Sequence, residues 1–233
     1  MKNFWIVALI LAMLLCGCTG QPEPTDPTNT SENTLPTGQT QQVVLETKED
    51  FTEFIKNTKI NGQYLYTRAL GCTFAKAEEL PAWYYFYLGL GENGQFTDEE
   101  ITFLANTYKS RNPNSDASFA LGATKLPVAK INEALSVLGV TVNDIQIPDK
   151  WAYYDKTDSY YFWVTDAYGV AGWSVTKVEK GTNGIVAVYW ETKEPYWGDP
   201  TLEKPLDGAK MVLTLQAMPD GGYRILSNVP QEP

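Results

Sequence analysis

The side chains able to carry out chemistry form an unusual set in this 233-residue chain, because histidine is absent. Without histidine there is no Ser-His-Asp or Cys-His machinery, no histidine-ligated zinc and no imidazole that titrates near neutral pH. Carboxylate pairs of the kind that hydrolyse glycosides are the remaining catalytic option. No pair stands out by spacing, since Asp155, Asp158, Asp166 and Asp220 lie at turns or strand ends. We therefore expect a protein that is not an enzyme and that holds no cofactor or metal.

One segment has part of a calcium-loop pattern. In Asn93–Glu100, a glycine stands at the sharp-turn position of an EF-hand loop and Glu100 at its bidentate end. The positions of the first two carboxylates hold Gly89 and Gly91, so the segment has too few ligands for calcium. Glu100 is explained instead by a helix-capping box with Thr97.

The best candidate for a binding surface is the long connection from Glu194 to Gly208. Three prolines stiffen it, and it separates two predicted strands. An exposed Tyr-Trp pair beside carboxylates could stack on a sugar ring or insert into a partner protein. The alternative is that Trp197 folds back as a lid over the end of the sheet core. The candidate binding residues are Tyr196, Trp197, Asp199 and Glu203.

A second group of aromatic residues lies earlier in the chain. Its density could indicate a saccharide-binding surface, but the same residues suit the cross-strand pairs that stabilise a sheet, and we favour this second interpretation. The group consists of Trp151, Tyr153, Tyr154, Tyr160, Tyr161, Trp163 and Trp173. A carbohydrate-binding or carboxylate-based carbohydrate-active protein is therefore the alternative to a non-catalytic binding protein.

The N-terminus carries the most specific motif of the chain. Lys2 precedes the apolar run Phe4–Leu15, which is too short to span a bilayer, and the run closes in Leu15-Cys16-Gly17-Cys18. This ending resembles the lipobox of bacterial lipoproteins. The resemblance implies that residues 1–17 are a signal peptide and that Cys18 is acylated and becomes the new N-terminus. It also implies a place on the outer face of the cytoplasmic membrane, with the lipid on Cys18 as the membrane contact.

Residues 18–42 comprise this cysteine and a predicted tether. The tether holds four prolines among Thr, Asn, Ser, Gln and Gly, and Leu35 is nearly its only aliphatic residue. Such a composition buries too little apolar surface to offset its ordering entropy, so it predicts a flexible spacer. Once Cys16 is removed and Cys18 acylated, Cys72 is the single thiol, for which we expect a buried apolar role.

Residues 43–233 are predicted to form one domain, helix-rich over 43–150 and strand-rich over 151–233. The formal net charge of −10, without a basic block, argues against binding to nucleic acid or docking on anionic lipid. A partner is therefore expected to be an envelope protein or a glycan.

Helices are predicted mainly in the first part of the domain. Apolar residues at helical spacing indicate a short helix over Thr47–Asn57, and the capping box starts a helix over about Asp98–Lys109. A third helix begins at Pro127 and ends at Gly139. The aromatic run Trp83–Leu90 suits a buried strand or a helix, and we favour a strand.

The second part of the domain predicts three β-hairpins in series. Each has two runs with period-two alternation separated by turn residues. The strand pairs are 151–154 with 160–164, 173–180 with 185–192, and 210–218 with 223–228. Together with the helices they predict an α+β fold, in which N-terminal helices pack on a curved antiparallel meander sheet of up to six strands.

Helices followed by a curved meander resemble the NTF2-like or cystatin-like α+β class. The segments Leu126-Pro127-Val128, Asp158–Trp163 and Gly222–Asn228 also resemble uncharacterised lipoproteins of Gram-positive bacteria. This resemblance implies no particular activity, because such folds host enzymes, binders and scaffolds alike. We expect a lipid-anchored extracytoplasmic protein that acts as a non-catalytic binding or interaction domain at the cell envelope.

Overall fold

Helices and two antiparallel sheets give this protein a mixed α+β architecture. The computed structural model describes residues 45–86, 90–93, 95–114, 122–163, 170, 172–198, 203–219 and 221–232. All of these belong to one compact unit, Gln42–Pro233. The predicted signal peptide, the lipidation site at Cys18 and the tether lie outside the described residues.

Five α-helices lie in the described part of the chain, and local signals set their ends. They are α1 Lys48–Asn57, α2 Leu65–Leu70, α3 Ala82–Phe86, α4 Asp98–Arg111 and α5 Val128–Leu135. Thr47 and Thr97 each form a capping box at the start of α1 and α4. A short 3₁₀ turn extends α5 to Gly139, whose φ of 72° lies in the left-handed region that glycine tolerates. The three helices predicted from the sequence are thereby confirmed.

The prediction of a strand over Trp83–Leu90 is wrong. Its first part forms α3, and residues 87–89 lie outside the described residues. The backbone amides of Tyr84 and Tyr85 both donate to the carbonyl of Pro81, at 2.9 and 3.2 Å. Proline suits the start of a helix because its missing N–H would be unpaired there in any case. The run shows no helical period because α3 is buried or half-buried on all sides.

The strands form two antiparallel sheets. They are β1 Glu92–Asn93, β2 Ala123–Pro127, β3 Ala152–Tyr154, β4 Ser159–Trp163, β5 Ser174–Lys180, β6 Ile185–Thr192, β7 Ala209–Ala217 and β8 Tyr223–Pro230. The strand order is β1-β2-β4-β3 in the first sheet and β5-β6-β7-β8 in the second. The second sheet is a simple meander, because each strand pairs with the next one along the chain.

The three predicted hairpins are confirmed as β3 with β4, β5 with β6, and β7 with β8. Their union in one meander of up to six strands is not confirmed, because the first hairpin belongs to a different sheet from the other two. Strand β2, which the sequence did not predict, pairs with β4 over five residue pairs. In a six-stranded meander, β5 would have to pair with β4 along the edge that β2 occupies.

The buried side chains form two clusters, and the larger one includes residues of both sheets. In the second sheet, Val186, Val188 and Trp190 of β6 alternate inward. The α1 residue Phe51 is buried with them, and its ring meets the edge of Tyr223 with centroids 5.5 Å apart. A smaller cluster forms between α4 and the first sheet, and its buried members are Leu104, Ala123, Ala152 and Tyr161.

The smaller cluster also contains a buried carboxylate. Glu100 of α4 is only 1 % exposed. Lys125 of β2 donates to it at 2.7 Å, the hydroxyl of Tyr161 donates to the same oxygen, and the backbone amide of Thr97 donates to the other oxygen at 2.7 Å. The carboxylate is therefore charge-compensated and fully hydrogen-bonded, as a buried charge has to be.

We predict that Lys125→Met destabilises the protein by about 3 kcal/mol, because it leaves the Glu100 charge buried without its counter-ion. The matched control is Lys156→Met, which removes an exposed ion pair of 3.0 Å with Glu99 and should leave the free energy of unfolding nearly unchanged, because solvent screens this pair. Urea unfolding followed by circular dichroism measures both values. Equal effects of the two substitutions would show that the buried pair has no special role.

Candidate functional site

Backbone hydrogen bonds close the base of the connection between β6 and β7. Tyr196 and Leu206 exchange two backbone hydrogen bonds, each 3.0 Å long, so the residues between them leave and return at the same place. The backbone amide of Thr73 donates to the carbonyl of Gly198 at 2.8 Å, and this hydrogen bond joins the start of the connection to the segment after α2. Gly198 has to lack a side chain, because a Cβ there would lie 2.0 Å from the hydroxyl of Tyr196.

Tyr196 is a core residue and does not form the exposed Tyr-Trp pair that the sequence predicted. Its side chain is 2 % exposed, and its ring meets the edge of Trp190 with centroids 5.9 Å apart. The Tyr196 hydroxyl donates to the carbonyl of Leu70 at 3.2 Å and lies 3.2 Å from the hydroxyl of Thr73. Tyr196 thus has the covering role that the sequence analysis considered for Trp197.

The other candidate binding residues have different positions. Trp197 is half-buried and Glu203 is exposed, whereas Asp199 lies outside the described residues. The side chain of Leu206 is 45 % exposed although its backbone is fixed. We call Trp197, Glu203 and Leu206 the loop surface. Its aromatic ring follows Tyr196 at the outgoing end of the connection, and its carboxylate and aliphatic side chain lie at the returning end.

A buried asparagine that the sequence analysis missed supports this base. Asn228 of β8 is fully buried, and its side-chain amide donates to the carbonyls of Cys72 at 2.7 Å and Ala69 at 3.2 Å. Its side-chain oxygen accepts from the indole N–H of Trp190 at 2.9 Å. Its backbone N–H and C=O both pair with Phe74 at 2.9 Å. One residue therefore joins β8, β6 and the segment that follows α2.

The aromatic group predicted from the sequence is divided between different surroundings. On the α4 side of the first sheet, Phe103 stacks on Tyr154 with centroids 4.4 Å apart. On the other side, Trp151 is buried and stacks on Phe162 at 4.2 Å. Tyr153 is 48 % exposed and forms a cross-strand pair with Tyr160 at 5.1 Å. The expected cross-strand pair is thus formed by Tyr153 and Tyr160, whereas Tyr154, Tyr161 and Trp163 contact aromatic rings of α4.

The buried titratable groups are held in forms that do not suit catalysis near neutral pH. Burial raises the pKa of the Cys72 thiol, so it stays protonated and is a poor nucleophile. Burial also raises the pKa of Glu100, but hydrogen bonds from Lys125, Tyr161 and Thr97 outweigh it and lower the pKa to about 2. Glu100 is therefore ionised at neutral pH and cannot act as a general acid.

Metal binding finds no support in the described residues. No group of three or more Cys, Asp or Glu side chains there is arranged to hold a metal ion. The Glu100 carboxylate, which the calcium-loop pattern would require, is already occupied by protein donors. In the same part of the chain, no helix has both the length and the apolar character needed to cross a bilayer.

No protein-family model, curated protein or solved structure matches this chain. Its function is therefore inferred from the geometry and chemistry of its own residues. The described geometry is suited to binding at the loop surface, because Glu203 and Leu206 are exposed and Trp197 is half-buried, while hydrogen bonds fix the backbone at Tyr196 and Leu206.

We predict that Asn228→Ala destabilises the protein by about 3 kcal/mol, because it leaves the Trp190 indole N–H and the carbonyl of Cys72 buried without a partner and removes one of the hydrogen bonds to the carbonyl of Ala69. The control is Ser227→Ala at the neighbouring, half-buried position, with an expected effect of less than about 0.5 kcal/mol. Chemical denaturation measures both. A loss below about 1 kcal/mol for Asn228→Ala would contradict the supporting role of this side chain.

Proposed function

We propose that this protein is a lipid-anchored, non-catalytic binding domain at the cell envelope. The lipid on Cys18 holds it on the outer face of the cytoplasmic membrane, and the loop surface contacts an envelope protein or a glycan. The observation that carries the binding proposal is the hydrogen-bonded base of the connection between β6 and β7. Backbone hydrogen bonds fix Tyr196, Gly198 and Leu206, so Trp197 and Leu206 extend from fixed positions, and Glu203 lies three residues before Leu206.

Pre-organisation is the physical reason that this surface favours binding. A loop that is already ordered at its base loses less conformational entropy when a partner binds. An aromatic residue beside an aliphatic one can provide most of the binding energy, while a neighbouring charge selects the partner. Trp197 and Leu206 supply the apolar part, and Glu203 supplies the charge.

The chemistry of the buried groups supports a non-catalytic role. The chain has no histidine, its thiol at Cys72 is held protonated by burial, and Glu100 is held ionised within an ion pair. These groups serve the fold, which leaves surface recognition as the function that the geometry supports best.

Carbohydrate binding is the second candidate, and one observation favours it. Tyr153 is 48 % exposed, its ring lies beside Tyr160, and its hydroxyl donates to the Asp158 carboxylate at 2.9 Å. An exposed tyrosine beside a carboxylate offers a stacking face and a hydrogen-bond acceptor to a sugar ring. A carboxylate-based carbohydrate-active protein would use the same neighbourhood.

The proposal also includes an architecture of the NTF2-like or cystatin-like kind, with N-terminal helices against a curved sheet. The edge contact between Phe51 of α1 and Tyr223 of β8 supports it. So does the uninterrupted antiparallel meander from β5 to β8.

We predict that Cys18→Ala abolishes incorporation of radiolabelled palmitate and prevents processing of the precursor, because the thiol at the lipobox position is lost. Labelling of cells that express the full chain, followed by separation of membrane and soluble fractions, measures this. Cys16→Ala is the matched control, because it removes a thiol two residues away and should keep both labelling and processing. Retained label in Cys18→Ala would refute the lipid anchor.

We predict that a photo-crosslinking benzoylphenylalanine at Glu203 captures a discrete envelope component in intact cells, whereas the same group at Ser110 of α4 does not. Adding Trp197→Ala should reduce the yield at least about 10-fold, because an aromatic hot spot is lost. Thermal unfolding verifies that the variant is folded. Equal capture from both positions, or capture unaffected by Trp197→Ala, would refute the loop surface.

A glycan array separates the second candidate from the first. Saturable glycan binding that is lost in Tyr153→Ala and kept in Trp197→Ala would establish carbohydrate recognition at Tyr153 and refute partner binding at the loop surface.

A further inference from the structure

A small cleft lies between the turn that precedes α2 and helix α5. It has a volume of about 140 Å³. One wall is a tight Asn-Gly turn in which Ile60 and Gln63 exchange backbone hydrogen bonds of 2.9 Å, and the facing wall is α5. Gln63 lines the first wall, and Lys130 and Glu133 line the second. The cleft therefore combines an amide, a cation and an anion around an apolar floor.

Behind Gln63, and outside the lining of the cleft, lies Arg68, for which the described residues supply no carboxylate partner. The half-buried Arg68 of α2 donates to the side-chain oxygen of Gln63 at 3.3 Å and to the carbonyl of Tyr85 at 3.4 Å. Both acceptors are neutral, and both distances lie at the long end of the hydrogen-bond range. Among the described residues, no carboxylate forms an ion pair with Arg68.

The titratable neighbours of Arg68 do not compensate its charge. They are Tyr85 and Cys72, and burial raises the pKa of both groups, so both are neutral at pH 7. Burial also lowers the pKa of Arg68 itself, which shows that its guanidinium is partly desolvated. A desolvated cation that has no anion among the described residues is costly. It is also unexpected in a chain with 28 acidic and 18 basic residues.

We propose that this cleft binds a small ligand through a carboxylate group, the group that a free amino acid shares with a peptide C-terminus. The ligand carboxylate replaces the side-chain oxygen of Gln63 at the Arg68 guanidinium. The exchange is favourable because a carboxylate matches the planar fork of arginine and forms charge-assisted hydrogen bonds, which are about twice as strong as neutral ones.

The facing wall of the cleft suits the same class of ligand. Lys130 adds positive charge for the carboxylate, and Glu133, three residues along α5, can accept from a ligand ammonium group. Free amino acids carry both groups close together, whereas the amine of a peptide lies far from its terminal carboxylate. The site is independent of the loop surface and of the lipid anchor, so it can be tested separately.

The probes are glycine, acetate, triglycine and glycinamide, titrated into the isotopically labelled soluble domain and followed by amide chemical shifts. Glycine should give saturable shifts at residues 60–68 and 130–134, whereas glycinamide, which lacks the carboxylate, should give none. Glu133→Gln should weaken glycine binding about 10-fold and leave acetate binding unchanged if the ligand is a free amino acid. Triglycine binding that is unaffected by Glu133→Gln would instead identify a peptide C-terminus.

The decisive variant is Gln63→Glu, which has nearly the same shape and gives Arg68 a carboxylate within the protein. It should raise the unfolding temperature by about 3 °C and weaken carboxylate binding at least about 10-fold. Gln146→Glu, an exposed position elsewhere, is the control for added charge and should leave binding unchanged. Carboxylate binding unaffected by Gln63→Glu would overturn the proposal. Absence of saturable shifts, or equal shifts with chloride and phosphate, would overturn it as well.

Discussion

The buried carboxamide of Asn228 is the interaction on which the rest of this structure depends. It connects the indole of Trp190 in β6 with the backbone carbonyls of the segment after α2, and its own backbone pairs with Phe74. Each of these polar groups would otherwise be buried without a partner, at a cost comparable to the whole net stability of a small domain when several are lost together. The position of α2 against the second sheet is therefore set by hydrogen bonds as well as by apolar packing.

The same region supports both candidate sites. The carbonyl of Leu70, at the end of α2, accepts from Tyr196 and so holds the base of the loop surface. Two residues earlier, Arg68 reaches the wall of the cleft through Gln63. Helix α2 is only six residues long, and a helix of this length has little stability of its own. Its tertiary contacts thus position both surfaces.

A second polar network gives the first sheet its orientation. Glu100 of α4 bonds Lys125 of β2 and Tyr161 of β4, so one carboxylate joins the helix to two neighbouring strands. The group most suited to acid–base chemistry is used to hold the fold together, and the thiol of Cys72 is buried likewise. This use of reactive groups inside the protein is consistent with a function that resides in recognition at its surface.

What the sequence by itself determined is local: the ends of α1, α4 and α5, the three hairpin turns and the absence of histidine chemistry. Caps and turns depend on residues within about four positions of each other, so their signals are legible in the chain. Only the tertiary structure decided that the hairpins belong to two sheets, that Tyr196 is buried and that none of the described carboxylates pairs with Arg68. Tyr196 and Leu70 are 126 residues apart, and no local pattern reports such a contact. The register between β7 and β8 shifts at one point, because Thr214 pairs with Ser227 whereas the next residue, Leu215, pairs with Ile225. This shift interrupts the strict alternation of β8, so Asn228 points inward where the period of two would have placed Ser227. Register and burial are decided by the partner strand, and the partner is known only once the chain has folded.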